Sequence, residues 1–403
     1  MTLITLISLT FTGCTPALLI PSLIQSTQKL KRISLAHSPF LRGPLQGFTV
    51  NGEGQGAVVW TQESTGNFTV QGRLIQNFKP QSSFSSTRPG QYSPVFAYEK
   101  GEPDALVGSF RSVSVENVAL PDVNVQLMRL PLTKGNIMPE ELGAYQLLNA
   151  STPPSGLPLL CQEFPFSGER HQTAAYVMLP AQGQEKPEFK RIMTVPNGAI
   201  FLAGHLDHEG DGLLLWSNEG QTYSQKITHF ASEGEPLELN FIPTMEKKHF
   251  LMQMSAERGF IAFPTDTGLE IHLINDNQIE PQHKPLAFGV KTSYRDDQNQ
   301  FLNVRSWDAQ LSPEGLGWVA WVSENHQQAY YQRVEHFQFI GQPQSIPPNA
   351  EGMQFTMLRL SGDPQNESVI AGLDGRCSFS QAAKGCLIDL GQSQEVWFAS
   401  LTP

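Results

Sequence analysis

The densest group of side chains able to do chemistry lies at residues 205–212, which read HLDHEGDG. It includes carboxylates at alternate positions, Asp207, Glu209 and Asp211. Alternate carboxylates can converge on one Ca²⁺ ion, because calcium prefers several oxygen ligands. A calcium loop that begins at Asp207 would end at Asn218, where the established loop pattern requires a bidentate glutamate. Zinc would need a third ligand beside His205 and His208. We therefore expect no cofactor, with calcium at the three carboxylates as the alternative.

The same stretch overlaps a repeat, which favours a structural role for it. Three segments fit the pattern Glu-Gly-x-Gly-x-[Val/Leu]-x-Trp: residues 53–60, 209–216 and 314–321. The glycines predict a tight turn, because they adopt positive φ without a Cβ atom. The apolar run then predicts a short strand that ends in tryptophan and is followed by a polar hairpin turn. We expect the motif residues to be structural, with each tryptophan packed between neighbouring sheets.

The spacing of the tryptophans predicts a larger repeat. Trp60 and Trp216 are 156 residues apart, and Trp216 and Trp321 are 105 apart, close to three and two units of 52. Units of this length, built of short strands and glycine turns, are typical of propeller blades. Weaker copies are predicted near residues 112, 164, 268 and 373. Residues 174–179 (AAYVML) are interpreted as a displaced copy, which implies an insertion at about 136–170 with a short helix over Pro139–Leu148.

The predicted fold is therefore all-β, a β-propeller of about seven four-stranded blades over residues 47–403, with six or eight blades also fitting the count. A chain of small β-sandwiches is the rival, but each sandwich would need about 100 residues. The C-terminal strand Glu395–Leu401 is predicted to pair with an N-terminal strand near Phe48–Val50. Such pairing would close the ring and remove two free strand edges.

The N-terminus has its own signature. Residues 1–13 (MTLITLISLTFTG) are apolar and end in a small residue before Cys14. The segment FTGC resembles the lipobox of bacterial lipoproteins. The resemblance implies that residues 1–13 are a signal peptide, that Cys14 is lipidated, and that residues 14–46 form a tether. By the same resemblance, Thr15 rather than aspartate after the cysteine implies sorting to the outer membrane. With this anchor, the three repeats resemble bacterial lipid-anchored β-propellers with G-x-G-x-x-x-W blades, which implies a fold and a location rather than an activity.

Composition and cysteine placement exclude several classes of protein. Hydrophobic residues make up 39% and charged residues 16%, which argues against a disordered chain. The net charge of −11 argues against a nucleic-acid partner. Cys377 and Cys386 bracket a short glycine-bounded loop, so a hairpin disulfide is predicted in an oxidising compartment. Cys161 is then left as a buried small apolar residue.

The sequence contains no familiar nucleophile, zinc-protease or nucleotide-binding motif. The leading hypothesis is a non-catalytic outer-membrane lipoprotein, on the periplasmic or surface face, that binds or scaffolds an envelope protein or glycan. Membrane contact would be through the lipid anchor. The alternative is a propeller hydrolase or lyase that acts on an envelope or extracellular polysaccharide. Residues 217–223 are similar to the Asp-box of propeller glycosidases, but the stretch is one residue short and has Glu219 in place of aspartate.

Overall fold

The computed structural model describes residues 30–38, 41–50, 52–64, 67–85, 96–98, 104–111, 124–131, 140–144, 146–147, 159–165, 171–179, 188–196, 199–207, 209–242, 250–255, 257–265, 268–288, 307–323, 327–348, 353–365, 367–375, 377–380, 385–388 and 394–401. Every regular element in these residues is a β-strand. None of them forms a helix long and apolar enough to cross a membrane. The predicted signal peptide and Cys14 lie outside the described residues.

The strands group into seven four-stranded antiparallel sheets and one small hairpin. Strand β1 (Ile33–Ser38) is the first strand of the described residues. Blade 1 contains β2 (Leu41–Val50), β3 (Gly56–Ser64), β4 (Asn67–Gln76) and β5 (Lys79–Ser85). Blade 2 contains β6 (Phe96–Tyr98), β7 (Asp104–Arg111), β8 (Asn124–Pro131) and β9 (Glu140–Ala144). Blade 3 contains β10 (Gln146–Leu147), β11 (Leu159–Pro165), β12 (His171–Leu179) and β13 (Glu188–Val195).

Blade 4 contains β14 (Ile200–Leu206), β15 (Gly212–Asn218), β16 (Gln221–Thr228) and β17 (Ala231–Glu238). Blade 5 contains β18 (Leu251–Ser255), β19 (Arg258–Pro264), β20 (Gly268–Asn275) and β21 (Gln278–Ala287). Blade 6 contains β22 (Trp307–Leu311), β23 (Gly317–Val322), β24 (Ala329–Glu335) and β25 (Gln338–Ile346). The last strands are β26 (Gln354–Gly362), β27 (Ser368–Gly375), β28 (Cys377–Ser380), β29 (Gly385–Ile388) and β30 (Gln394–Leu401). Blade 7 consists of β26, β27, β30 and β1, while β28 and β29 form the hairpin.

Each blade contacts the next around a closed ring, and blade 7 contacts blade 1 through β26 and β2. The fold is thus a β-propeller of seven four-stranded blades, as the repeat spacing predicts. The core lies between the blades: one cluster is shared by blades 4 and 5, another by blades 5 and 6, and others by blades 6 and 7 and by blades 7 and 1.

Burial decreases from the second strand of a blade to its outer edge. Strands β15 and β23 are buried almost throughout, so they read as continuous apolar runs, GLLLWSN and GWVAWV. The third strand β16 alternates between buried and more accessible residues. The outermost strand β17 (ASEGEPLE) is exposed along its whole length and carries polar residues. The sequence therefore carries a strong apolar signal for the second strands and a weak one for the outer strands.

The first glycine of the repeat motif fixes a turn in blades 1, 4 and 6. Gly54, Gly210 and Gly315 have φ values of 74°, 84° and 77°. The carbonyl oxygen of each accepts a hydrogen bond from the backbone N–H of a phenylalanine in the β-turn between the third and fourth strands. A Cβ atom at Gly315 would lie 2.5 Å from the Phe337 ring, so the glycine leaves room for that ring. The three partners are Phe78, Phe230 and Phe337.

Blade 7 departs from this pattern at the position of the motif tryptophan. Gly372, the fifth residue of β27, stands where Trp60 and Trp321 stand in blades 1 and 6. Trp397 of β30 pairs with Gly372 in register. A Cβ atom at Gly372 would lie 2.2 Å from Trp397 Cζ2, so the indole ring fills this space from the adjacent strand.

The ring closes through a different strand from the one predicted. Strand β30 pairs with β1, with Ile33 opposite Phe398 and Ser38 opposite Gln394. The segment Phe48–Val50 instead belongs to β2, the inner strand of blade 1, and pairs with β3. Because β1 is an outermost strand with Leu35 as its buried hydrophobic residue, it carries little apolar signal. The predicted 14–46 tether is therefore corrected, since β1 and part of β2 lie inside it.

The predicted insertion at 136–170 is also corrected. Its residues contribute β9 to blade 2 and β10 and β11 to blade 3. The helix predicted over Pro139–Leu148 is replaced by β9 and β10. Strand β11 lies where the copy near residue 164 was expected, and residues 174–179 belong to β12, the third strand of that blade. The repeat copy seemed displaced because residues 174–179, in the third strand of blade 3, were compared with the motif of a second strand.

Candidate functional site

Polar side chains on the inner strands join neighbouring blades around the ring axis. Gln253 of β18 donates from Nε2 to Gln310 Oε1 of β22 at 3.1 Å. Gln310 Nε2 donates in turn to the Gly362 carbonyl oxygen of β26 at 3.0 Å. Ser361 Oγ of β26 accepts from the Val50 N–H of β2 at 2.7 Å. Blades 5, 6, 7 and 1 are therefore connected by side-chain hydrogen bonds as well as by apolar packing.

Two more polar side chains, Asp308 and His205, lie on the innermost strands of their blades. Asp308 of β22 accepts a hydrogen bond from the Leu360 N–H of blade 7 at 2.7 Å, so this acid also links two blades. His205 of β14 occupies the register position that Gln253 and Gln310 occupy in blades 5 and 6. Its side chain is buried. His205 therefore belongs with the polar side chains of the innermost strands, while the carboxylates that follow it in sequence lie in the turn after β14.

The predicted calcium residues lie in the turn between β14 and β15. Asp207 Oδ1 accepts hydrogen bonds from the N–H groups of Glu209 and Asp211, both at 2.9 Å. Asp211 Oδ1 accepts from the His229 N–H at 2.7 Å. Glu209 is exposed. Turn formation accounts for two of the three carboxylates, and calcium binding there stays an untested alternative to the expected absence of a cofactor.

The two arginines that follow the repeat tryptophans bind backbone carbonyl groups. Arg73 Nη1 donates to the Gln81 carbonyl oxygen at 3.1 Å within blade 1. Arg333 Nη1 donates to the Pro364 carbonyl oxygen at 3.3 Å, which joins blade 6 to the β26–β27 turn of blade 7. The Arg333 guanidinium also lies 5.4 Å from the centre of the Trp318 ring. These contacts are structural.

The blade-7 cluster, defined as Arg32, Asp374, Glu395 and Trp397, is a buried group of charges at the ring closure. Arg32 Nη2 lies 2.5 Å from Asp374 Oδ2 and 3.3 Å from Glu395 Oε2. The Arg32 guanidinium lies 4.3 Å from the centre of the Trp397 ring, and the Trp397 Nε1–H donates to Asp374 Oδ1 at 2.6 Å. Arg32 Nη1 also donates to the Pro347 carbonyl oxygen at 2.8 Å, at the end of blade 6. The cluster thereby fastens the start of β1 to blades 6 and 7.

The electrostatics of this cluster are unbalanced. Asp374 and Glu395 pair directly across β27 and β30, so two carboxylates share one guanidinium. Burial raises the pKa of Asp374 to about 6, the Arg32 charge and the hydrogen bonds from Arg32 and Trp397 oppose this rise, and Glu395 adds to it. With two carboxylates and one guanidinium, the cluster has one carboxylate in excess of its cation. A buried excess charge of this kind favours uptake of a proton.

The blade-5 cluster, defined as Glu270, His272 and His283, is the group of three metal-ligating side chains that the described residues bring together. Their ligand atoms all lie within 4.8 Å of one another. Glu270 and His272 alternate on β20, and His283 stands opposite His272 on β21. Sequence reasoning missed this group, because a single histidine in a strand carries no signal of its own. The pattern Glu-x-His in one strand with a histidine in the next becomes informative only when their register is known.

The cysteines fall on strands whose backbone is described. Cys377 and Cys386 lie on the paired strands β28 and β29, with Ile388 opposite Cys377 and Phe379 opposite Cys386. They share one hairpin, two register positions apart, and their disulfide remains a prediction. Cys161 lies on β11.

No protein-family model and no curated protein matches the sequence. A crystal structure of a protein from Lactobacillus plantarum is similar with 10% identity and a TM-score of 0.38, over 75% of this chain and 86% of that chain. A neuraminidase-like protein from A/bat/Guatemala/164/2009 is similar with 8% identity and a TM-score of 0.44, over 90% of this chain and 98% of that chain. At these identities and TM-scores neither likeness assigns a ligand or an activity to this chain.

Proposed function

We propose that this chain is a non-catalytic, lipid-anchored β-propeller of the bacterial outer membrane that binds or scaffolds an envelope protein or glycan. The observation that carries the proposal is the way the N-terminal strand is held. The segment that contains Cys14 precedes Leu30, which lies two residues before Arg32 and three before β1. Any pull on an N-terminal anchor therefore acts first on β1.

The structure is suited to resist such a pull. Strand β1 is hydrogen-bonded along β30, and Arg32 is held by two carboxylates, an indole ring and a carbonyl oxygen. Charge-assisted hydrogen bonds in a buried setting are stronger than neutral ones in water. A propeller fastened in this way stays folded while its anchor moves with the membrane.

The three buried acids of the described residues have structural partners, which removes them as candidates for catalytic carboxylates. Asp308 accepts a hydrogen bond from a backbone N–H of the next blade, Asp374 contacts Arg32 and Trp397, and Glu395 contacts Arg32. A glycosidase needs two carboxylates that flank a bound sugar and remain accessible to it. Asp374 and Glu395 have side-chain exposures of 0% and 4%, so they cannot flank a sugar ring.

The anchor is tested first, in cells, with Cys14→Ser as the variant. The wild-type protein is expected in the membrane fraction with a metabolically incorporated fatty acid, and the variant is expected without the fatty acid and outside that fraction. A wild-type protein that incorporates no fatty acid would overturn the anchored assignment.

The partner is tested by crosslinking in intact cells with an affinity tag after Pro403, followed by mass spectrometry. Recovery of the same envelope protein with wild type, and its loss with Cys14→Ser, supports scaffolding. Reproducible recovery of no protein, together with cleavage of a polysaccharide in a substrate screen, would replace scaffolding with the hydrolase or lyase alternative. A polysaccharide that is bound and left intact supports glycan binding.

A further inference from the structure

We propose that the blade-5 cluster, Glu270, His272 and His283, binds a divalent transition-metal ion of the zinc type at the rim between blades 4 and 5. The proposal does not depend on the function proposed above. His272 Nε2 lies 3.0 Å from Glu270 Oε1, and His283 Nδ1 lies 3.8 Å from the same oxygen. Two imidazole nitrogens and one carboxylate oxygen form a common three-ligand set for zinc.

The hydrogen bonds of His272 identify the atom that would bind the metal. His272 Nδ1 lies 2.9 Å from the Glu280 carbonyl oxygen, and because a carbonyl can only accept, Nδ1 must carry the proton. In the neutral ring Nε2 then presents a lone pair to the Glu270 carboxylate. Two lone pairs at this distance require either a proton on Nε2 or a metal ion bound by both atoms. An imidazole N–H donated to a backbone carbonyl is also the usual outer support of a metal-binding histidine.

The surroundings hold the His272 ring in place. Its side chain is 1% exposed and stacks on Phe263 with ring centroids 5.7 Å apart. Phe241, from the segment after blade 4, packs on it at 5.1 Å. The ring cannot turn away from Glu270 without displacing these aromatic rings. Both strands that supply the ligands are also fixed in register, so the donor atoms are positioned before any metal arrives.

The distances and accessibility select the class of ion. A tetrahedral zinc ion with ligand bonds of about 2.0–2.1 Å has neighbouring ligand atoms about 3.3 Å apart. The observed separations of 3.0 and 3.8 Å lie on either side of this value. Calcium and magnesium prefer oxygen ligands alone, so two histidines disfavour them. The His283 side chain is 53% exposed, which leaves a solvent-facing side for a fourth ligand such as water.

The test is calorimetric titration of ZnCl₂ into the full-length protein in detergent, with cysteines alkylated so that thiolates do not bind zinc. His283→Asn and Glu270→Gln change two ligands on accessible side chains. His336→Asn is the matched control, because His336 is exposed, lies in a turn of blade 6 and has a positive φ that asparagine tolerates. We expect one site per chain in wild type and control, and affinity weaker by about 10–100-fold or more in both ligand variants.

Cobalt supplies an independent readout of the same site. Co²⁺ bound to two imidazoles and a carboxylate gives visible absorption bands, which are expected in wild type and His336→Asn and lost in His283→Asn. Equal zinc affinity in all four proteins would overturn the proposal. So would the absence of stoichiometric binding to the folded wild type, since a proton shared by His272 and Glu270 would then explain the geometry.

Discussion

The blade-7 and blade-5 clusters both bring carboxylates next to nitrogen groups, yet they differ in whether the protein supplies a permanent cation. In blade 7 the Arg32 guanidinium lies between Asp374 and Glu395, and the group is closed from solvent. In blade 5 the nitrogen nearest Glu270 belongs to His272, whose other nitrogen already donates to a carbonyl oxygen. The first cluster contains its own counter-ion and is structural. The second can obtain one from solution, because one side of it remains accessible.

The largest effect is expected from removing the internal cation. Arg32→Met leaves two buried carboxylates without their cation, so the free energy of unfolding should fall by about 3–5 kcal/mol in urea denaturation. The matched control is Lys31→Met, because Lys31 is the exposed neighbour and should change stability by less than about 0.5 kcal/mol.

A compensated variant checks the cause of that loss. Arg32→Met combined with Asp374→Asn and Glu395→Gln removes the buried charges together and should recover much of the lost stability. A fall of less than about 1 kcal/mol for Arg32→Met alone would mean that Arg32 does not hold β1.

The excess carboxylate in blade 7 predicts a pH dependence. The pKa of Asp374 is raised by burial from 3.8 to about 6, so the folded state binds a proton that the unfolded state has released in this interval. The free energy of unfolding should therefore fall as pH rises from about 4 to about 6, by up to about 3 kcal/mol, and then level off. Asp374→Asn should remove this part of the pH dependence. Parallel wild-type and variant curves over that range would contradict the assignment.

A metal should stabilise blade 5 and leave the blade-7 cluster unaffected. At a free Zn²⁺ concentration one hundred times the dissociation constant, wild type should gain about 2.7 kcal/mol of unfolding free energy. Arg32→Met should gain the same amount, because distant sites act independently. His283→Asn should gain little. A smaller gain in Arg32→Met than in wild type would show that the two clusters are coupled.

The smallest expected effect is the change in stability of Glu270→Gln without metal, and it distinguishes a metal-free His272 lone pair from a protonated His272. In the presence of a chelator, Glu270→Gln replaces a carboxylate beside the His272 lone pair by an amide that can donate to it. Stability should stay within about 0.5 kcal/mol of wild type or rise slightly. If His272 and Glu270 instead form an ion pair that shares a proton, Glu270→Gln should be less stable than wild type. Chemical denaturation in the absence of metal distinguishes the two results.

The repeat motif predicted the architecture because its residues serve local geometry. The glycines at 54, 210 and 315 fix turns, and the apolar runs after them are second strands that are buried on both faces. Strand β1 was missed, since an outermost strand needs few apolar residues. Both charge clusters were missed for another reason: Asp374 meets Glu395, and His272 meets His283, through strand register. Register depends on the whole sheet, so short motifs do not reveal it.

The pairing of β1 with β30 has a consequence for how the chain is made. Of the described strands, the first to be synthesised pairs with the last, so β1 lacks its β30 partner until residues 394–401 are available. Contacts between such distant residues form slowly. During that interval β1 presents an open edge to which another chain could add a strand. A chain that ends before Gln394 would lack the partner strand of β1, so the segment before β1 would lose its attachment to blade 7.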